Sequence, residues 1–197
     1  MNKKVPVGIS GRHVHVTREH LDILFGKDYA LTEMKPLSQP GQYAANEKID
    51  VLSPAGKLLE GVRILGPVRK ASQVEISKSD AIRFKFDAPV RSSGDVKGSG
   101  ACKLIGPKGE VELSEGVIIA DRHIHFSPEE ALAFGVKDRD IVSLKISGVK
   151  AGILDNVLCR VHPEFRLDCH LDTDDGSAFM LNTGDFVELV KSYTINA

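Results

Sequence analysis

Arg12-His13-Val14-His15-Val16 has a second copy in the same chain, Arg122-His123-Ile124-His125-Phe126, and the reading of the fold turns on this pair. The chain has seven histidines in 197 residues, and four of them fall in the two copies. Side chains alternate along a strand. An H-x-H pair therefore projects both imidazoles from one face and its middle residue from the other. Two imidazoles on one face can begin a first-row metal site.

The surroundings repeat as well. An apolar strand-like run precedes each copy, Val5-Pro6-Val7-Gly8-Ile9-Ser10 and Gly116-Val117-Ile118-Ile119-Ala120. A helix start follows each, at Thr17 and at Ser127, with stops at Gly26 and Gly135. Ser127-Pro128 with Glu130 reads as a capping box with proline at the first helical position. Lys-Asp and a further strand come after each glycine, so the unit is strand, H-x-H, short helix, glycine stop, strand, twice over.

Each half also offers a third ligand. Leu59-Glu60-Gly61-Val62 matches Leu154-Asp155-Asn156-Val157, and fourteen residues beyond Gly61 and Asn156 stand Glu75 and His170. Both lie in alternating, strand-like runs. The candidate sets are His13, His15, Glu75 and His123, His125, His170. Two histidines with a carboxylate, or three histidines, leave a zinc coordination position open for water or substrate. His20 reads as an exposed helix residue and His162, beside Pro163, as a loop residue.

Strand signals dominate elsewhere: short Val/Ile/Leu runs broken by Gly, Pro, Asn and Asp. Only the two segments after the H-x-H motifs read as helix. Many short strands with a duplication give a mainly β fold of two small closed barrels. Leu37 to Tyr43 is turn-rich, Arg91 to Gly100 reads as a flexible loop, and the tail after Thr183 as a final strand (Asp185 to Val190) or an interface arm.

A formal charge of −1 gives no electrostatic case for nucleic acid or a membrane surface. No apolar run is long enough to span a bilayer, and Met1-Asn2-Lys3-Lys4 leads into a strand rather than a signal peptide. Cys102, Cys159 and Cys169 are odd in number and scattered, as expected of reduced cytosolic thiols. Arg63-Ile64-Leu65-Gly66-Pro67-Val68-Arg69-Lys70 sets cations before Glu75, and the Arg69 fork suits capture of a phosphate or carboxylate.

These residues fit three readings: a metal-dependent acyl or phosphoryl transferase, a cupin-like oxygenase or isomerase, and a metal-stabilised binding module without chemistry. His13-x-His15-x-x-x-Glu19 has the cupin spacing, but Glu19 falls in the first turn of a helix behind a Thr cap. A (β/α)8 amidohydrolase also uses H-x-H but needs about 250 residues. A binding module would prefer closed four-ligand sites, whereas three ligands are found per half.

Val7-Gly8-Ile9-Ser10, Arg12-His13-Val14-His15, Leu37-Ser38-Gln39-Pro40-Gly41-Gln42-Tyr43-Ala44-Ala45, Val62-Arg63, Leu65-Gly66-Pro67, Arg69, Gln73-Val74-Glu75-Ile76-Ser77, Arg122-His123-Ile124-His125 and His170-Leu171-Asp172-Thr173-Asp174 resemble the PduL-type phosphotransacylases, the phosphate propanoyltransferases. The resemblance implies interconversion of a short-chain acyl-CoA, propionyl or acetyl, plus phosphate with acyl phosphate plus CoA. It implies two zinc ions per chain at one shared site, on His13, His15 and Glu75 and on His123, His125 and His170. Arg69 would hold phosphate, while Ser10, Lys35, Arg63 and His170 would line the coenzyme A path. It also implies a swapped N-terminal strand, giving a first barrel from 12–120 and a second from 1–11 with 121–197. A homodimer is expected from the family alone. Gly11 departs from the usual Asn, and Asp175-Gly176-Ser177-Ala178 from Glu-Ala-Asn-Ala. Without an amphipathic N-terminal packaging helix, a cytoplasmic enzyme is expected, with the bacterial microcompartment lumen and its enzymes as the alternative.

Overall fold

The computed structural model describes residues 3–191. The ends of the expected second barrel, 1–2 and 192–197, lie outside them. In chain order, β1 (Lys4–Ser10) is followed by β2 (His13–His15), α1 (Arg18–Phe25), β3 (Glu33–Pro36), β4 (Tyr43–Leu52), β5 (Leu58–Gly66), β6 (Gln73–Glu75) and α2 (Lys78–Phe84). Then come β7 (Val90–Arg91), β8 (Gly100–Ile105), β9 (Glu110–Ala120), β10 (His123–Phe126) and α3 (Pro128–Phe134). The chain continues through β11 (Ile141–Ile146), β12 (Gly152–Val161), β13 (Asp168–Asp172), α4 (Thr173–Phe179) and β14 (Phe186–Lys191).

Two compact units result. One holds Gly11–Leu37 with Gly41–Ala120; the other holds the residues up to Ser10, Ser38–Pro40 and those from Asp121 onward. In the first unit β4, β5, β2, β6, β9 and β8 pair in a closed ring, with β3 and β7 added at β4 and β9. In the second the ring is β1-β13-β10-β12-β11-β14. The mainly β, two-barrel expectation holds. Strand for strand the rings correspond, and one correspondence is an exchange. β1 runs into β2 in sequence yet pairs with β13 and β14, while β9 runs into β10 yet pairs with β6 and β8. Ring closure leaves no open edge on the six-stranded core.

The barrels fill with the residues alternation assigns inward. Val14, Ile49, Ile64 and Leu104 are buried in the first core, and Ile124, Phe126, Leu144 and Leu171 in the second. Gly61 (φ 64°) and Asn156 (φ 58°) both sit left-handed at the register shift of β4/β5 and of β11/β12. A bulge residue in this conformation favours glycine or asparagine, which accounts for the matched segments seen in sequence.

Four helices are present among the described residues, not two. Their N-caps are Thr17, Ser77, Ser127 and Asp172, each two residues after a candidate ligand: His15, Glu75, His125 and His170. Lys78–Phe84 and Thr173–Phe179 are as long as Pro128–Phe134 but lack its Ser-Pro-x-Glu start, and Gly176 weakens the second. The capping box at Ser127 is present as expected.

Candidate metal centres

The first centre is built on a ladder of three residues. Antiparallel β2 and β6 put His13 opposite Glu75 and His15 opposite Gln73. His13, His15 and Glu75 are buried. His13 Nε2 lies 3.4 Å from Glu75 Oε2 and His15 Nε2 lies 3.9 Å from Glu75 Oε1. The far nitrogens face carbonyl oxygens: His13 Nδ1 at 2.9 Å from Gly11 and His15 Nδ1 at 3.2 Å from Leu65. A nitrogen facing a carbonyl carries the proton, so in the neutral rings both Nε2 lone pairs point at the carboxylate. Acceptors turned on one another at this separation are reconciled by a shared cation or, at His13, by a proton on Nε2.

Electrostatics agree. Burial opposes charge on His13, but the Glu75 carboxylate outweighs it and pushes that imidazole above its usual value. Burial, then His13 and Arg69, hold His15 down to about 3. Burial also opposes charge on Glu75, yet His13, His15 and the Ser93 hydroxyl keep its carboxyl well below the carboxylate range.

The second centre repeats the ladder. Antiparallel β10 and β13 put His123 opposite His170 and His125 opposite Asp168. The three rings lie 4.7–5.1 Å apart, centroid to centroid. His123 Nδ1 faces the Asp121 carbonyl at 2.7 Å, and His170 Nε2 donates to Asp168 Oδ2 at 3.0 Å. His125 Nδ1 is buried with no hydrogen-bond partner among the described residues. Burial first, then His123, His170 and Arg160, hold His125 down to about 2. In each triad the potential ligand atoms lie within 4.8 Å of one another. Converging imidazole and carboxylate ligand atoms, with one orphaned buried nitrogen at His125, fit a nitrogen- and oxygen-loving divalent ion.

Ser93 was not legible as a site residue. From the loop read as flexible it donates to Glu75 Oε1 at 2.8 Å and accepts from Gln73 Nε2 at 3.1 Å and Arg69 Nη1 at 3.2 Å. Gln73 Nε2 also donates to Glu75 Oε1, and Gly94 N donates to Gln73 Oε1 at 2.8 Å. One hydroxyl thus links the candidate ligand to the candidate anion clamp. Arg69, Lys70, Gln73 and Gly94 line a cleft of about 570 Å³.

Sequence reasoning also missed Asp168, and Gln39, whose buried amide accepts from Arg166 N at 3.1 Å and donates to Arg166 O at 3.0 Å. That clip brings Ser38 Oγ to 3.5 Å from His170 Nε2. The only advance signal was the turn-rich stretch.

The remaining expectations sort as follows. Ser10 ends β1 in the second barrel; Lys35 is exposed on β3; Arg63, opposite His13 on β5, donates to the Ala45 carbonyl. None of these three joins a triad. Glu19 is exposed in the first turn of α1, so the cupin spacing is not a ligand set. His20, expected to be exposed, is half-buried with Nδ1 2.7 Å from Ser72 Oγ. His162 is an exposed loop residue. Cys102, Cys159 and Cys169 are free and buried. Burial pushes the Cys102 and Cys159 thiols up to about 12 and Cys169 higher than its usual value, so none serves as a thiolate nucleophile.

A family model described as phosphate propanoyltransferase matches residues 6–182. A phosphate propanoyltransferase of Thermotoga maritima is 52% identical over 186 residues, 94% of this chain and 88% of its own. Those of Lachnoclostridium phytofermentans and Priestia megaterium are 48% and 46% identical, over 94% and 92% of this chain and 87% and 83% of theirs.

Proposed function

The chain belongs to the phosphate propanoyltransferase family and is an acyltransferase, and from that premise we propose that it exchanges inorganic phosphate for coenzyme A on a propionyl or acetyl group. Phosphate oxygen attacks the thioester carbonyl, the C–O bond forms, the C–S bond breaks, and CoA leaves as the thiolate; the reverse reaction returns the acyl group. The observation that carries this reading is the matched pair of triads, buried except for half-buried His170, one of them tied through Ser93 to an arginine in a cleft.

We assign His13, His15 and Glu75 to one zinc and His123, His125 and His170 to a second. When bound, zinc supplies Lewis acidity toward the thioester oxygen and the departing sulfur. The protein's own share is positional. Arg69 holds phosphate with its guanidinium fork, and Ser93 fixes the direction of that fork. Such orientation can be worth roughly 7–11 kcal/mol in a bimolecular step. Inert buried cysteines support direct attack by phosphate. Ser10, Lys35, Arg63 and His170 are assigned to the coenzyme. Discrimination of propionyl from acetyl is worth about 1–3 kcal/mol at most, since one methylene separates them.

Among the described residues no helix is long and apolar enough to cross a membrane. The same reading makes the enzyme a cytoplasmic homodimer, with the microcompartment lumen as the alternative location.

The test is thiol release from propionyl-CoA or acetyl-CoA with and without phosphate, alongside a metal count. Phosphate-dependent release with about two zinc ions per chain is the expected result. Arg69→Lys keeps the charge and loses the fork, so KM for phosphate should rise at least about tenfold; an unchanged KM removes Arg69 from the mechanism. Bound metal without turnover would point to a binding module instead.

A further inference from the structure

The chemistry above leaves the arginine that opens each R-H-x-H copy without a role. Arg12 Nη2 lies 3.0 Å from Asp80 Oδ1, and Arg122 Nη2 lies 3.0 Å from Asp175 Oδ1. The two aspartates occupy equivalent places. Each is the third residue after a helix N-cap, Ser77 or Asp172, and each gives its backbone N–H to that cap's side chain, at 3.2 and 2.8 Å. Each therefore sits in the first turn of the helix that follows its half's third candidate ligand. Other contacts of the two arginines differ. Arg12 faces the Phe84 ring at 5.9 Å, whereas Arg122 donates to the Asp155 carbonyl at 3.1 Å. Only the bridge to the aspartate recurs.

We propose that these two bridges are struts that lock each H-x-H strand in register against its third-ligand strand. Arg12 and Arg122 are then positioning residues, each for its own triad, and not anion-binding residues for substrate. This rests on reading the triads as metal sites. The physical need is clear in the first barrel. β2 and β6 have three residues each, too few rungs to resist a slip, and a slip of one residue turns the imidazoles to the other face. The bridge ties the residue just before His13 to the turn that begins just after Glu75. Asp80 is buried, so its carboxylate requires a partner. At the third position of a helix it also lies where the helix dipole favours negative charge.

The test is zinc titration of chelator-stripped full-length protein in competition with a chromophoric chelator. His15→Ala and His125→Ala show which binding step belongs to which triad. Arg12→Ala and Asp80→Asn should weaken the step lost in His15→Ala by about 10–100-fold, the usual effect of removing a ligand-orienting partner, and leave the other step within about threefold. Arg122→Ala should do the reverse. Arg12→Lys, which keeps the ion pair and serves if the alanine variant does not fold, should recover most of the affinity. Lower thermal stability with both steps unchanged would reduce the bridges to plain stabilisers and overturn the inference. A raised KM for phosphate or CoA with intact zinc binding would make the arginines substrate residues and overturn it equally. Native protein that binds no zinc would sink the metal reading, an outcome separable from variants that bind as the native does.

Discussion

The two triads differ at one ladder position, and the difference is matched next door. Opposite His13 stands Glu75; opposite His123 stands His170. Two residues before the third ligand stands Gln73 in one barrel and Asp168 in the other. Glu75 is an acceptor and Gln73 donates to it; His170 is a donor at Nε2 and Asp168 accepts from it. Ligand and support have changed together, because a buried carboxylate beside a carboxylate, or an imidazole N–H beside an amide N–H, would leave polar groups unpaired.

The largest expected effect asks whether the triads are equal partners. His15→Ala and His125→Ala should each lower phosphate-dependent turnover about a thousandfold, some 4 kcal/mol of transition-state stabilisation. Should His125→Ala lower the melting temperature and spare turnover, the second triad is structural and the symmetry breaks.

The next asks whether support follows ligand. Glu75→His alone should weaken zinc binding at the first triad about a hundredfold, because Gln73 then offers a donor to a donor. Adding Gln73→Asp should restore at least about tenfold of it, as read by the same chelator competition. A double variant no better than the single would show that the pairing with Asp168 is coincidence.

Acid sensitivity is expected to be smaller and shared. His15 and His125 are held down to about 3 and about 2, against about 6.5 in the unfolded chain. Below pH 6.5 the unfolded chain takes up protons that the native one refuses. The stability that each neutral ring contributes is therefore complete above pH 6.5 and is lost as pH falls. In metal-free protein each should cost about 1.4 kcal/mol per pH unit below that point. His13, held above its usual value by Glu75, acts the other way: its contribution is full below pH 6.5 and fades as pH rises through its native value. Denaturant midpoints between pH 4 and 7 should show a shallower slope for His125→Gln than for the native chain. An identical slope would mean that this ring takes up its proton as readily folded as unfolded.

The smallest expected effect sits at the matched bulges. Gly61→Ala places a side chain at φ 64° and should cost about 1 kcal/mol. Asn156→Gly should change the unfolding free energy by only a few tenths. Equal costs would mean that the two bulges bear unequal strain.

Much of the candidate site was legible because it obeys short periods. H-x-H fixes a face by alternation, the bulge residue marks itself as Gly or Asn, and counting onward from it reaches Glu75 and His170. The two later helices could have been read from Ser77 and Asp172, which stand two residues after a ligand as Thr17 and Ser127 do. Ser93 had no comparable signal. Its loop of serine, glycine and lysine reads as solvated chain, and only packing against Gln73 and Arg69 gives the hydroxyl its three partners. The Gln39 clip is of the same kind: a glutamine in a turn becomes a buried strand mimic only when Arg166 arrives from far along the chain.

By itself, then, the amino-acid order determined what each short segment is: which strand faces carry imidazoles, where helices start, and that the whole is built twice. It does so because alternation, capping and left-handed turns depend on neighbours within a few residues. Only the tertiary structure decided which strand closes which ring, since β1 and β9 pair away from the strands they run into, and which hydroxyl or amide steadies each ligand. Ladder partners and buried hydrogen bonds join residues far apart in sequence, and no local period records them.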